Sequence, residues 1–196
     1  MVPRSHPEPV VHNSLGLSTL CQRLAGTETY RVLDLGPALG ANVEFWSRLC
    51  EFIHIADLYS CLPLPPPPED ASASWPDWKH MLHLPPGRHF NVVLAWDMLN
   101  YLELPIIKGL TNYLLDFCAP GAILFSLIFD FREMPADITV YRIIDESRIR
   151  YEYKGSKTRA CPRHQTRALS AALPGFQLAN SFRLRNGVIE YLFVRE

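Results

Sequence analysis

Apolar positions along the chain follow two rhythms, and where one gives way to the other the elements can be read. Leu15, Leu17, Leu20, Cys21 and Leu24 recur at helical spacing and are closed by Gly26, which predicts a helix over 14–25. YRVLDL (30–35) predicts a short buried strand, GPALG (36–40) a tight turn, and Val43, Trp46, Leu49 and Cys50 a helix over 41–50. EFIHIA (51–56) is a second strand, ended by Asp57. Pro63 and Pro65 to Pro68 fit neither helix nor central strand, so 63–68 is expected to be a stiff surface connection. A short helix is expected within 75–84. NVVLAW (91–96) and AILFSLIF (122–129) are apolar at every or nearly every position, as strands covered on both faces are. Between them 104–118 keeps a helical period until Pro120-Gly121 stops it.

The tail changes character. Residues 139–144 and 148–153 predict a polar-faced hairpin, 163–173 a helix, and 176–184 with 188–194 a second hairpin turning at Asn186-Gly187. Strands alternating with crossover helices imply an α/β fold: an open, mostly parallel sheet with helices on both faces and a C-terminal antiparallel strand hairpin. Residues 1–13 read as a flexible arm and 14–196 as a single domain.

VLDLGPALG (32–40) is the segment that most clearly carries chemistry. A strand ends, the chain turns within five residues, and a helix begins, leaving unpaired N–H groups that suit a ligand carboxylate. Gly36 permits close approach to the backbone. Asp34 either ties down the turn or shapes the pocket, and can do both. Asp57, at the carboxyl end of the second strand, is placed to accept from both ribose hydroxyls of a nucleoside; a strand-end cap is its other reading. Asp97 is either a helix cap or a contact in the site.

These residues resemble the class I S-adenosylmethionine-dependent methyltransferases, a Rossmann-like family whose first motif runs acid-x-Gly-x-Gly-x-Gly. Asp34, Gly36, Ala38 and Gly40 occupy that frame, with Ala38 in place of the middle glycine. Asp57 matches the family's acid after the second strand, VVLAWDMLNYL (92–102) its fourth-strand motif, and CAPGAIL (118–124) its approach to the fifth strand. The resemblance implies S-adenosyl-L-methionine as cofactor, held by Asp34, Gly36, Pro37, Ala38, Gly40, Asp57, Leu58, Tyr59 and Asp97, with Tyr59 beside the adenine. It implies Asp97 and Tyr101 as catalytic contacts, no metal, and an unmatched insertion at 131–160 that covers the substrate. A dinucleotide-binding protein would need glycines at 36, 38 and 41, and this chain has Ala38 and Ala41.

Charge and composition narrow the acceptor. The 196 residues are 48% hydrophobic and carry a net charge of −1, which makes no general case for nucleic acid. Asp97 is not followed by the Pro-Pro-Tyr or Pro-Pro-Phe of methyltransferases acting on nucleic-acid bases. Five cysteines without a CxxC and seven histidines without an HExxH argue against a metal site. With no stretch long and apolar enough for a membrane and no secretory signal, a cytoplasmic protein is expected. Between Arg142 and Arg185 ten basic residues face Asp145, Glu146 and Glu152. Charge runs are usually solvated surface; the sharper reading is a small anionic acceptor met by Arg142, Arg148, Arg150, Lys154, Lys157, Arg159, Arg163 or Arg167. Two functions follow: methyl transfer to a small-molecule acceptor, or a catalytically silent module of the same fold that acts through a protein partner.

Overall fold

A computed structural model describes residues 9–26, 29–66 and 75–196. In chain order the elements are β1 (Val10–Asn13), α1 (Leu15–Leu24), β2 (Arg31–Asp34), α2 (Gly40–Ser47), β3 (Phe52–Ile55), a 3₁₀ turn at Leu58–Cys61, α3 (Trp78–Leu82) and β4 (Phe90–Trp96). There follow a 3₁₀ turn at Met98–Tyr101, α4 (Leu104–Leu115), β5 (Cys118–Phe129), β6 (Glu133–Pro135), β7 (Thr139–Asp145) and β8 (Arg148–Tyr153). The chain continues through β9 (Thr158–Ala160), α5 (Thr166–Ala171), β10 (Phe176–Arg183) and β11 (Val188–Arg195).

Six strands form the main sheet in the order β10-β11-β5-β4-β2-β3. Pairing is parallel from β3 through β2 and β4 to β5, then antiparallel from β5 through β11 to β10, as the sequence implies. The two strands apolar on both faces lie at its middle, where Val92 to Ala95 and Phe125 to Phe129 are all buried. β3, at the edge, is half-buried throughout.

Helices cover both faces, and two neighbouring residues of β11 show how, since successive side chains of a strand point to opposite sides. Glu190 accepts from the N–H of Gly16 in α1 at 2.6 Å, whereas the Tyr191 hydroxyl meets Thr166 of α5 at 2.7 Å. At the start of α1, Ser14 accepts from Leu17 N–H at 3.0 Å. A Cβ at position 16 would stand 2.7 Å from the Phe125 ring, so only glycine lets α1 descend onto the buried carboxylate. That carboxylate also suits a helix N-terminus electrostatically.

Several boundaries differ from the sequence reading. The helices expected over 41–50 and 104–118 end at Ser47 and Leu115. The arm expected over 1–13 is structured at Val10–Asn13, which pairs antiparallel with β8 at the edge of a second sheet, β1-β8-β7; residues 1–8 lie outside the described residues. Four residues are too few for VVHN to declare a period. β5 begins four residues earlier than expected and runs through Pro120-Gly121, because Cys118 already pairs with Phe90 before a register shift. The 75–84 helix contracts to α3, capped by Asp77, which accepts from His80 N–H at 3.2 Å. The helix expected over 163–173 contracts to α5. The 131–160 segment holds the β7–β8 hairpin and a short pair, β6 with β9. Of the proline-rich connection, 63–66 is irregular and 67–68 lie outside the described residues.

Candidate functional site

β2 ends at Asp34, whose buried Oδ1 accepts from Gly36 N–H at 2.8 Å and from the Trp96 indole N–H at 2.7 Å. Burial raises this carboxyl to about 6 against the pull of both donors. The turn is thus tied down by Asp34. Gly36 is needed for close approach, but what approaches in the structure is Trp96: a Cβ at 36 would lie 2.9 Å from the indole. Pro37 is half-buried, and Ala38 and Gly40 are exposed. The amides of Gly40 and Ala41 open α2 with no side-chain cap and no intrahelical acceptor.

Asp57 leaves β3 with φ +33, a left-handed conformation that Asp tolerates better than most residues. Its side chain caps nothing. The neighbouring Leu58 N–H donates to Leu35 carbonyl at 2.9 Å, joining the two strand ends. Tyr59 turns inward: its ring is buried and its hydroxyl donates to Asp97 Oδ1.

Asp97 follows β4, fully buried, and makes no side-chain cap. Its Oδ2 has no hydrogen-bond partner, and neither does Thr139 Oγ1. Burial pushes the carboxyl up to about 6, with the Tyr59 hydroxyl pulling it down. Asn100, which the sequence did not single out, holds this corner. Its amide donates to the carbonyls of Asp97 and Leu127, both at 2.8 Å, and its oxygen accepts from Phe129 N–H at 2.9 Å. Tyr101 is half-buried, edge-on to Tyr59 at 6.0 Å, with its hydroxyl on Asp137 carbonyl at 3.3 Å. Burial and the nearby Asp97 charge raise its phenol.

The structure therefore brings Asp34, Gly36, Leu58, Tyr59, Asp97 and Tyr101 to one end of the sheet, and adds residues that sequence reasoning missed. Trp96 sits at φ +46, rare for a bulky side chain, and its indole stacks on Tyr141 of β7 with ring centroids 5.6 Å apart and planes at 5°. Asn42 of α2 pins β7 above them, donating to Tyr141 carbonyl at 2.9 Å and accepting from Ile143 N–H at 2.8 Å. The crevice left among Pro37, Asn42, Tyr59, Trp96, Thr139 and Tyr141 is closed and has no room for a water molecule. Ligand pockets typically need roughly 300–1,000 Å³.

Across Tyr59 lies a cavity of about 1000 Å³, with Tyr59, Trp75, Tyr101, Ile106 and Ile138 among its apolar walls. Glu103, Asp137, Lys154 and Arg159 supply its charges, and the Arg159 guanidinium stands 5.9 Å from the Tyr101 ring centre. The basic tail is sorted by its partners. Arg142 and Arg150, opposite each other across the hairpin, share Glu152 at 3.6 and 3.5 Å. Arg148 pairs with Asp145 at 2.6 Å, and Arg163 and Arg183 grip Asp130 at 2.9 and 2.8 Å. Among the described residues Lys154 and Arg159 make no ion pair and line the cavity.

No family model matches the chain, and no curated protein matches it in sequence. Solved structures do match in shape. CalS10, an amino pentose methyltransferase from Micromonospora echinaspora crystallised with S-adenosylmethionine, is 14% identical over 92% of this chain and 90% of its own, with a TM-score of 0.55. The 1,6-didemethyltoxoflavin-N1-methyltransferase of Burkholderia thailandensis is 14% identical over 91% and 76%, with a TM-score of 0.52. The glycopeptide N-methyltransferase MtfA is 14% identical over 92% and 90%, with a TM-score of 0.50. The chain has the class I methyltransferase fold. Among the described residues no helix is long and apolar enough to cross a membrane.

Proposed function

We propose that this chain is an S-adenosylmethionine-dependent methyltransferase of the cytoplasm that acts on a small anionic molecule. The observation that carries the reading is Asp97, a fully buried carboxylate at the end of β4 with one oxygen unpartnered. A buried polar atom without a partner is costly unless a ligand satisfies it. A carboxylate there suits a cationic group such as a sulfonium or ammonium.

The surrounding residues fit the cofactor in chemistry. Asp34 fixes the turn, the opening amides of α2 can receive a carboxylate, and Asp57 is uncommitted and free to accept from ribose hydroxyls. Leu58 and Tyr59 follow it toward the adenine side. When bound, the cofactor supplies a methyl group on a cationic sulfur, so most of the rate can come from orientation of the acceptor. This chain's part is to present that acceptor from the larger cavity. Arg159 and Lys154 receive its negative charge, while Tyr59 and Tyr101 form the inner wall, with Asp97 behind Tyr59, to whose hydroxyl it is bonded, so that a proton leaving the acceptor can be passed inward to the carboxylate. At neutral pH Asp97, with a pKa of about 6, is mainly ionised and able to do this.

The silent-module reading is favoured by one observation, the occupation of the cradle by Trp96 and Tyr141. Calorimetric titration with S-adenosylhomocysteine, with methyl transfer assayed against a panel of small carboxylates and phosphates, separates the two. Binding that weakens in Asp57→Ala, together with transfer that weakens in Arg159→Ala, supports the enzyme. A chain that never binds the cofactor, in any variant that clears the cradle, is the silent module.

A further inference from the structure

We propose that the β7–β8 hairpin is a movable cover: Tyr141 shuts the donor cradle in the ligand-free chain, and cofactor and acceptor binding are coupled through the hairpin's displacement. The inference rests on the methyltransferase reading and concerns how that site opens.

The cradle is closed by side chains, while the backbone around it keeps the geometry of a binding turn. Trp96 is fixed from below, by its indole N–H on Asp34 and by its contact with Gly36. Tyr141 is held from above, by a strand outside the main sheet. β7 belongs to the separate β1-β8-β7 sheet and pairs with no strand of the main sheet. Its polar ties to α2 are the two hydrogen bonds of Asn42, and its tie to the cradle is one ring stack. Elsewhere the hairpin is anchored at its turn, where Ser14 N–H donates to Ser147 carbonyl at 2.7 Å, and along β8, which β1 pairs from Arg148 to Tyr151. Lifting the Tyr141 end breaks the two Asn42 bonds and the ring stack and uncovers Tyr141 and Ile143, a cost that a ligand filling the cradle would offset. The movement would open the space beside Asp97 Oδ2 and Thr139 Oγ1, two buried oxygens without partners. Thr139 and Tyr141 lie on the same strand, two residues apart and on one face, so the unpartnered hydroxyl moves with the cover.

The same segment walls the acceptor cavity. Asp137 and Ile138 lead directly into β7, and Lys154 follows β8. An anion drawn to Lys154 and Arg159 therefore acts on the hairpin where β8 leaves it. A ligand shifts such a two-state element by as much as it prefers one state, and the coupling between two ligands is reciprocal.

The experiment titrates S-adenosylhomocysteine into the parent chain, Asn42→Ala and Tyr141→Val by calorimetry. It also follows amide exchange at 139–145 in the parent with and without that ligand. Both variants should bind tenfold tighter or more, and the Ile143 amide should exchange faster when the parent is loaded. Asn42→Ala removes the clamp without touching either ring, so the test stands if Tyr141→Val folds poorly. A gain in either folded variant supports the cover. Parental or weaker affinity in both, with Ile143 protection unchanged on loading, overturns the cover and leaves cofactor binding intact. No binding by any of the three overturns the cover and the methyltransferase reading together.

Discussion

Two spaces meet at Tyr59, and they were built by different parts of the chain. On the Gly36 side the walls come from the ends of β2 and β4, rigid parts of a buried sheet, and they are tight: an indole touches a glycine and a phenol stacks on the indole. On the Trp75 side the walls come from loops, the start of α4 and the flanks of the hairpin, and about 1000 Å³ is open. The tight side contains two unpartnered buried oxygens, Asp97 Oδ2 and Thr139 Oγ1; the open side contains Lys154 and Arg159. Packing closes the first and charged side chains line the second, so each is best probed by a different kind of substitution.

The tight side breaks most severely at Gly36. Gly36→Val would drive a side chain into the Trp96 indole, 2.9 Å from the new Cβ. Denaturant unfolding should show a loss of about 2–3 kcal/mol, the range of core overpacking, in addition to lost cofactor binding. Asp57→Ala should leave folding nearly unchanged yet weaken S-adenosylhomocysteine binding by about 1.5–3 kcal/mol, tenfold or more by calorimetry. Parental affinity would place the ribose elsewhere. On the open side, Arg159→Ala should raise KM for an anionic acceptor by about tenfold, with kcat little changed. Arg148→Ala, already paired with Asp145, should change neither.

The smallest effect is in pH, and its two halves run oppositely. Asp34 and Asp97 stand at about 6 in the folded chain, above their ordinary value of 3.8. The folded state therefore binds more protons than the unfolded one between those values. The contribution of these carboxyls to folding is full below about 4 and is lost as pH rises through 6. Asp97→Asn should remove its share, visible as a flatter stability profile between pH 4 and 7. Affinity for the cationic S-adenosylmethionine should instead fall about fourfold from pH 7 to 5.5 as Asp97 gains its proton. In Asp97→Asn that dependence should disappear.

What was legible in the sequence follows from these physics. Strands apolar on both faces can sit only inside a sheet, so NVVLAW and AILFSLIF announced the centre of the fold, and the GPALG turn announced the sheet end at which the candidate site lies. The state of that end was not legible. A tryptophan closing an apolar run reads as core, and its turn onto Gly36 depends on a backbone at φ +46 that no spacing encodes. Asn42 reads as an ordinary helical residue until Tyr141 and Ile143, about a hundred positions away, arrive as its partners. The tail's charges likewise looked alike in sequence. Arg142 and Arg150 become neighbours, and share Glu152, only once the hairpin register is set. Short strands such as β1, β6 and β9 take their form from their partners and carry too few residues to show a period.

The position of β11 has a consequence for how the chain is made. It lies between β5 and β10, and it carries the carboxylate onto which α1 docks. A ribosome that has delivered everything through β10 therefore presents an incomplete object. α1, which emerges long before β11, has no acceptor for Gly16, and β10 has no strand to join. The long edge of β5, apolar from Ala122 to Phe129 save for Ser126, stays unpaired on one side. Such an edge invites other strands until its proper neighbour appears. The nascent protein should thus be a strong client of chaperones until β11 emerges, after which the sheet and the N-terminal helix close in one step.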